Sequence, residues 1–174
     1  MNGVKGDACA VVLNDVLMTE LQELQSFSQE LWRIAYEPDV LAEPESTLLW
    51  EMSYSLSAMK TAIVRGERLR WICIGGQRAG FVSTRWDASQ RVMRLSKLYL
   101  SPNYWGKGLG SWVLGLVKAM AYHAGATRIE LYVFRANTRA VNAYLRAGYR
   151  IERAELTDNG NGTKYDDYLM CQDL

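Results

Sequence analysis

The stretch Leu98–Gly110 reads Leu-Tyr-Leu-Ser-Pro-Asn-Tyr-Trp-Gly-Lys-Gly-Leu-Gly and places three glycines at alternate positions between an apolar strand and a periodic helix. Glycine lacks a Cβ, so the backbone at Gly106, Gly108 and Gly110 can approach an anion closely and turn its N–H groups toward it. The first turn of the following helix, with Leu109 and Ser111, leaves N–H groups without intrahelical partners and adds the positive end of the helix dipole. That chemistry is a phosphate or pyrophosphate cradle that needs no arginine.

Three known cradles can be compared with it. A Walker loop requires G-x-x-x-x-G-K-S/T, but here Lys107 lies between glycines and Gly108 follows it. A dinucleotide fingerprint requires G-x-G-x-x-G, and Ser111 stands at the third glycine; Glu130, the acid about 20 residues on, falls near the start of its strand rather than the end. A structural glycine turn with no ligand is the plain alternative.

Other reactive residue types are sparse. Cys9, Cys73 and Cys171 are odd in number, widely spaced and without a metal-type pair, which predicts reduced, structural thiols in a cytoplasmic protein and no metal site. His123 falls in the last turn of the helix after the glycines, where a cation suits the dipole. Between Ile34 and Met59 there are five acids, Glu37, Asp39, Glu43, Glu45 and Glu51, and no Lys or Arg. They are either solvated helix-terminal acids or an acidic rim for a cationic ligand. Trp32, Tyr36, Trp50 and Tyr54 lie beside them, as core or as an aromatic pocket wall.

The elements that must position these residues follow from periodicity. Ala8–Leu13 suits a first strand. Thr19 with Gln22 has the spacing of a capping box before a helix through Leu24, Phe27, Leu31 and Ile34. Pro44 opens a second helical region as far as Gly66, continuous or broken near Ser53–Ser57. Three strands follow: Arg70–Ile74, Ala79–Trp86 across the glycine turn at Gly75–Gly76, and Arg91–Leu100. The next helix carries Leu109, Trp112, Val113, Leu116, Val117 and Met120 on one face. Arg128–Val133 alternates as a strand, Asn137 caps a short helix that Gly148 ends, and a final hairpin turns around residues 158–162. The 174 residues carry a net charge of +1 and no long basic run, which gives no reason to invoke nucleic acid or a membrane surface. The expectation is one domain over residues 1–174, with no repeat, signal segment or membrane span.

Two signatures together resemble those of the GNAT N-acetyltransferase superfamily. Trp105-Gly106-Lys107-Gly108-Leu109-Gly110 resembles its acyl-CoA loop, Q/R-x-x-G-x-G/A, except that Trp105 replaces the polar head. Asn137, Ala140, Tyr144, Gly148 and Tyr149 match its second pattern, N-x-x-A-x-x-x-Y-x-x-x-G-F/Y, at the expected interval of one helix and one strand. The resemblance implies an α/β fold with a mixed, mostly antiparallel sheet of about seven strands and about four helices. It implies an N-acetyltransferase moving the acetyl group of acetyl-CoA to a primary amine, whether a small amine, a polyamine or a peptide amine, in a possible homodimer. The alternative is a non-catalytic acyl-CoA sensor.

By that resemblance Leu98 and Leu100 offer backbone groups to the pantetheine arm, and Trp105 and Gly106 to Ser111 form the pyrophosphate loop. Asn137 contacts the pantetheine, and Tyr144 meets the CoA sulfur as the catalytic residue. The usual carboxylate positions for a general base match Lys97 and Tyr132. The base is therefore sought among Glu45, Glu51, Asp166 and Asp167, backbone-held water, or Tyr132 itself.

Overall fold

The structure, a computed structural model, describes residues 10–36, 45–158 and 164–174. Cys9, Glu37, Pro38, Asp39, Glu43 and Pro44, and most of the final turn, lie outside them. Strand β1 is Val11–Asp15. A 3-10 turn, Met18–Glu20, leads into helix α1, Leu21–Tyr36. The capping box predicted from Thr19 and Gln22 is not the one observed, because Thr19 lies inside that turn and the Glu20 carboxylate accepts the Leu17 N–H at 2.8 Å.

The second helical region is broken. Helices α2 (Glu45–Tyr54) and α3 (Leu56–Val64) meet at Ser55, whose hydroxyl accepts the Ala58 N–H at 3.3 Å and caps α3. Strands β2 (Glu67–Ile74) and β3 (Gln77–Asp87) are joined by Gly75 and Gly76, with φ of 57° and 78°. A two-residue hairpin whose twist matches its strands needs positive φ at both positions, which is why glycines stand there. Strand β4 is Val92–Leu100, helix α4 is Leu109–His123, strand β5 is Arg128–Phe134 and helix α5 is Thr138–Arg146. Strands β6 (Arg150–Asp158) and β7 (Lys164–Asp173) close the chain. Among the described residues there are thus five α-helices against about four expected, the break at Ser55 accounting for the extra one.

The seven strands form one sheet ordered β1-β2-β3-β4-β5-β7-β6. Every neighbouring pair is antiparallel except β4 and β5, which α4 joins by a crossover. That parallel ladder is short: Val92–Arg94 pair with Arg128–Glu130, and beyond Arg94 no pairing continues. In β4 the register against β3 jumps from Ser83–Lys97 to Thr84–Leu95, so Ser96 is an extra residue that bends the strand where the gap opens.

Each face of the sheet has its own core. Ile129, Leu131 and Val133 of β5 pack with Val113 and Val117 of α4 and Val141 of α5. Leu24 and Leu31 of α1, Leu49 of α2 and Met59 of α3 cover Trp71 and Phe81 on the other face. Leu114 joins the buried side of α4, whereas Trp112, expected there, is exposed. Trp32 and Tyr54 are core, the former donating its indole N–H to Ser46 Oγ at 2.9 Å.

Candidate active site

The gap between β4 and β5 holds a cavity of about 370 Å³, with walls from α1, the outer half of β4, the glycine loop, the start of α4, β5 and α5. The glycine loop forms one end. Gly106 and Gly108 have φ of 70° and 79°, and a Cβ at either would meet nothing within 4 Å. The glycines are therefore required by the left-handed backbone rather than by crowding. Gly108 is the N-cap of α4, and the first intrahelical bond is Trp112 N–H to Gly108 O at 3.0 Å. The N–H groups of Leu109, Gly110 and Ser111 precede it without intrahelical acceptors, and all three residues line the cavity.

Trp105 has two partners that the sequence pattern does not reveal. Its indole N–H donates to Leu100 O at 2.8 Å, and the Arg139 guanidinium lies 3.5 Å from the centre of its ring. Arg139 comes from the first turn of α5 and lines the same cavity, as does Arg146. A cation from another helix thus stands beside the position where the glycine signature has a polar head. Orphan N–H groups and a nearby guanidinium suit the charge of a pyrophosphate.

Of the predicted site residues, Leu98, Leu100, Trp105, Gly106, Gly108, Leu109, Gly110, Ser111, Asn137 and Tyr144 all line the cavity. Lys107, between Gly106 and Gly108 in the same loop, is exposed and is not among the residues that line the cavity. Leu100 is more occupied than expected, since its carbonyl already accepts the Trp105 indole. Asn137 is both cap and wall. Its Oδ1 accepts the Ala140 N–H at 3.1 Å, while its amide engages the Tyr36 hydroxyl.

Tyr144 is half-buried against Tyr149, ring centres 5.7 Å apart, and the desolvation of its hydroxyl first, then Tyr36, holds that hydroxyl well above the ordinary tyrosine range. It is a neutral hydrogen-bond donor. Beyond it Tyr36, Tyr99 and Tyr132 form an aromatic end, with the Tyr99 hydroxyl donating to Tyr36 at 3.3 Å. Lys97 opens onto this end, its Nζ 5.1 Å from the centre of the Tyr54 ring, and burial pushes its pKa down despite the opposing field of Glu67.

None of the carboxylate candidates lines the cavity wall. Glu51 is exposed, and Asp166 pairs with Arg135 at 3.0 Å. Asp167 is different. It stands opposite Phe134 in the β5–β7 ladder, and the Phe134 ring packs edge-on against Tyr36 at 5.9 Å. Its Oδ1 is buried with no hydrogen-bond partner, and its charge acts on Tyr36. Burial, with Asp166 and Glu155 adding to it, raises its pKa to about 6. Among the described residues no group of three or more His, Cys, Asp or Glu side chains is placed to hold a metal, and no helix is long and apolar enough to cross a membrane.

Comparison with known proteins agrees with this geometry. An uncharacterized N-acetyltransferase of Mycobacterium tuberculosis is 29% identical over 161 residues, covering 90% of this chain and 99% of its own. The spermidine N(1)-acetyltransferase of Thermoplasma acidophilum is 24% identical over 162 residues, with the same coverage. The crystal structure of the PaiA N-acetyltransferase of that organism in complex with coenzyme A superposes with a TM-score of 0.77 at 21% identity, over 95% of this chain and 99% of that one. The model of the Acetyltransferase (GNAT) family matches residues 22–149, so the chain belongs to that family and is an acetyltransferase that uses acetyl-CoA.

Proposed function

We propose that this acetyltransferase moves the acetyl group of acetyl-CoA to a primary amine, a small amine, polyamine or peptide amine, by direct attack within a ternary complex. The observation that carries the reading is the continuity of the cavity. Phosphate-type donors at Leu109–Ser111 and Arg139, the neutral Tyr144 hydroxyl and the aromatic end at Tyr36 share one space, so donor and acceptor meet without a covalent enzyme intermediate. The spermidine acetyltransferase among the relatives supports an amine acceptor.

In this reading the open edge of β4 at Leu98 and the amide of Asn137 hold the pantetheine arm, and Tyr144 donates a hydrogen bond to the sulfur as thiolate character develops. The acceptor must lose a proton. An amine of pKa about 10.4 is neutral about once in two to three thousand molecules at pH 7, a penalty of roughly 4 to 5 kcal/mol. Asp167, whose charge acts on Tyr36 at the cavity end, is the group suited to take that proton through a bridging water, since its raised pKa of about 6 lies close to neutral pH. The decisive experiment is thiol release from acetyl-CoA across a panel of primary amines. Amine-dependent release is expected, and release that no amine stimulates would overturn the proposal.

A further inference from the structure

Among the described residues that line the aromatic end of the cavity, Lys97 is the one that carries charge; Arg94, 5.3 Å from the centre of the Tyr132 ring, is tied to Glu130 at 3.0 Å and is not part of that wall. The lysine is built into the sheet. It stands opposite Ser83 across β3 and β4, and the Ser83 hydroxyl donates to the buried Glu67 carboxylate on β2. Glu67 acts on Lys97 at a distance, but no hydrogen bond or ion pair from a described residue reaches Nζ, whose neighbour is the face of Tyr54. An ammonium group has three donors and no acceptor. Lys97 lines the same cavity as Tyr36, Tyr99 and Tyr132, and no carboxylate is among the described residues of that wall.

We propose that Lys97 binds an anionic group of the acceptor, so that the substrate is an amine carrying a carboxylate near its nucleophilic nitrogen, of the amino-acid class, rather than a polyamine. This rests on the reading above that an amine is acetylated in this cavity. A carboxylate arriving at Nζ makes a charge-assisted hydrogen bond and offsets the desolvation of a half-buried ammonium. The second ammonium of a polyamine would meet Lys97 as a like charge instead, so the same residue selects one class and rejects the other. Glu67 favours the charged form of the lysine against burial without pairing with it. The amine end of such an acceptor then lies toward Tyr36, on which the charge of Asp167 acts.

The test compares thiol release for amines that differ only by the carboxylate: phenylalanine with phenethylamine, leucine with isoamylamine, lysine with cadaverine, and spermidine alongside. The wild-type protein is expected to favour the carboxylate-bearing member of at least one pair by tenfold or more in kcat/KM, chiefly through KM. Lys97→Met is expected to collapse that ratio toward one, and Lys97→Arg to keep most of it. Equal rates within every pair, or spermidine as the best acceptor, would overturn the inference while leaving amine acetylation intact. A ratio that Lys97→Met leaves unchanged would also overturn it. If no amine releases thiol although acetyl-CoA raises the melting temperature, the acetylation reading itself fails, and the inference with it. The wild-type comparison needs no variant, so a misfolded Lys97→Met does not remove the test.

Discussion

At the scale of single residues, the two ends of the proton path have opposite demands. Tyr144 must hold its proton, and burial beside Tyr36 ensures that it does across the working pH range. Its phenol is too weak an acid to give that proton readily to a thiolate of pKa about 8.5, so the hydrogen bond comes first and transfer comes late. Tyr144→Phe should therefore lower kcat by about 100-fold and leave KM for acetyl-CoA nearly unchanged, and unaltered steady-state turnover would remove Tyr144 from the mechanism. Asp167 must lose its proton before it can accept one. With its pKa raised to about 6, kcat/KM should fall as pH drops through about 6, and Asp167→Asn should abolish that limb and lower the plateau by about 100-fold or more. The stability consequence has a definite sign. The folded state holds this proton more tightly than the unfolded chain, so stability falls as pH rises from about 4 through about 6, and Asp167→Asn should flatten that slope in urea titrations across the window. Asn137 and Tyr144 are legible in sequence because they belong to a spaced pattern. Arg139 occupies an unspecified position of that same pattern, and Asp167 sits on a strand far along the chain, so only folding brings them to Trp105 and Tyr36.

At the scale of elements, the site exists because β4 is paired on one side along its length and on the other for only three residues. The position of its free half is therefore set by β3, and Gly80 is the tightest point of that pairing. A Cβ at Gly80 would overlap the Tyr99 carbonyl oxygen and lie 3.1 Å from Leu100 Cα, both backbone atoms that cannot swing aside. Gly80→Ala should push the outer end of β4 toward the cavity, losing about 1–3 kcal/mol in chemical denaturation and weakening acetyl-CoA binding as well. Gly76→Ala serves as the contrast. Its added methyl meets nothing within 4 Å and its φ of 78° strains the turn alone, so a loss of roughly 1–2 kcal/mol with unchanged acetyl-CoA affinity is expected. Equal affinities in both variants would show that β3 does not set the donor site. The helices and the first hairpin were readable from apolar spacing and the two glycines. The placement of β7 between β5 and β6 was not, because a hairpin reads the same whichever of its strands faces the rest of the sheet, and neither was the bulge at Ser96, which local composition does not mark.

At the scale of the whole molecule, the sheet divides the protein into two cores, α4 and α5 on one face and α1 to α3 on the other, with β4 and β5 joined at one end and parted at the other. The donor cavity occupies the parted end, where the backbone edges of Leu95–Leu100 and Tyr132–Val133 lack each other as partners. A ligand seated there supplies hydrogen bonds that the sheet omits and ties α4, α5 and both strands together, so its binding energy becomes folding stability for the regions that hold each other least. At a hundredfold excess over its Kd, a ligand that binds the native state alone adds about 2.7 kcal/mol, which for a chain of this size corresponds to a rise in Tm of very roughly 5–10 °C. Acetyl-CoA should produce that shift and NAD should not. Amide hydrogen exchange should slow most at residues 95–100, 106–111 and 138–144, with little change in β1 and β2 on the far side of the sheet. Protection spread evenly over all seven strands would mean that the ligand stabilises the fold without bridging the gap, and no shift at all would place the donor outside this cavity.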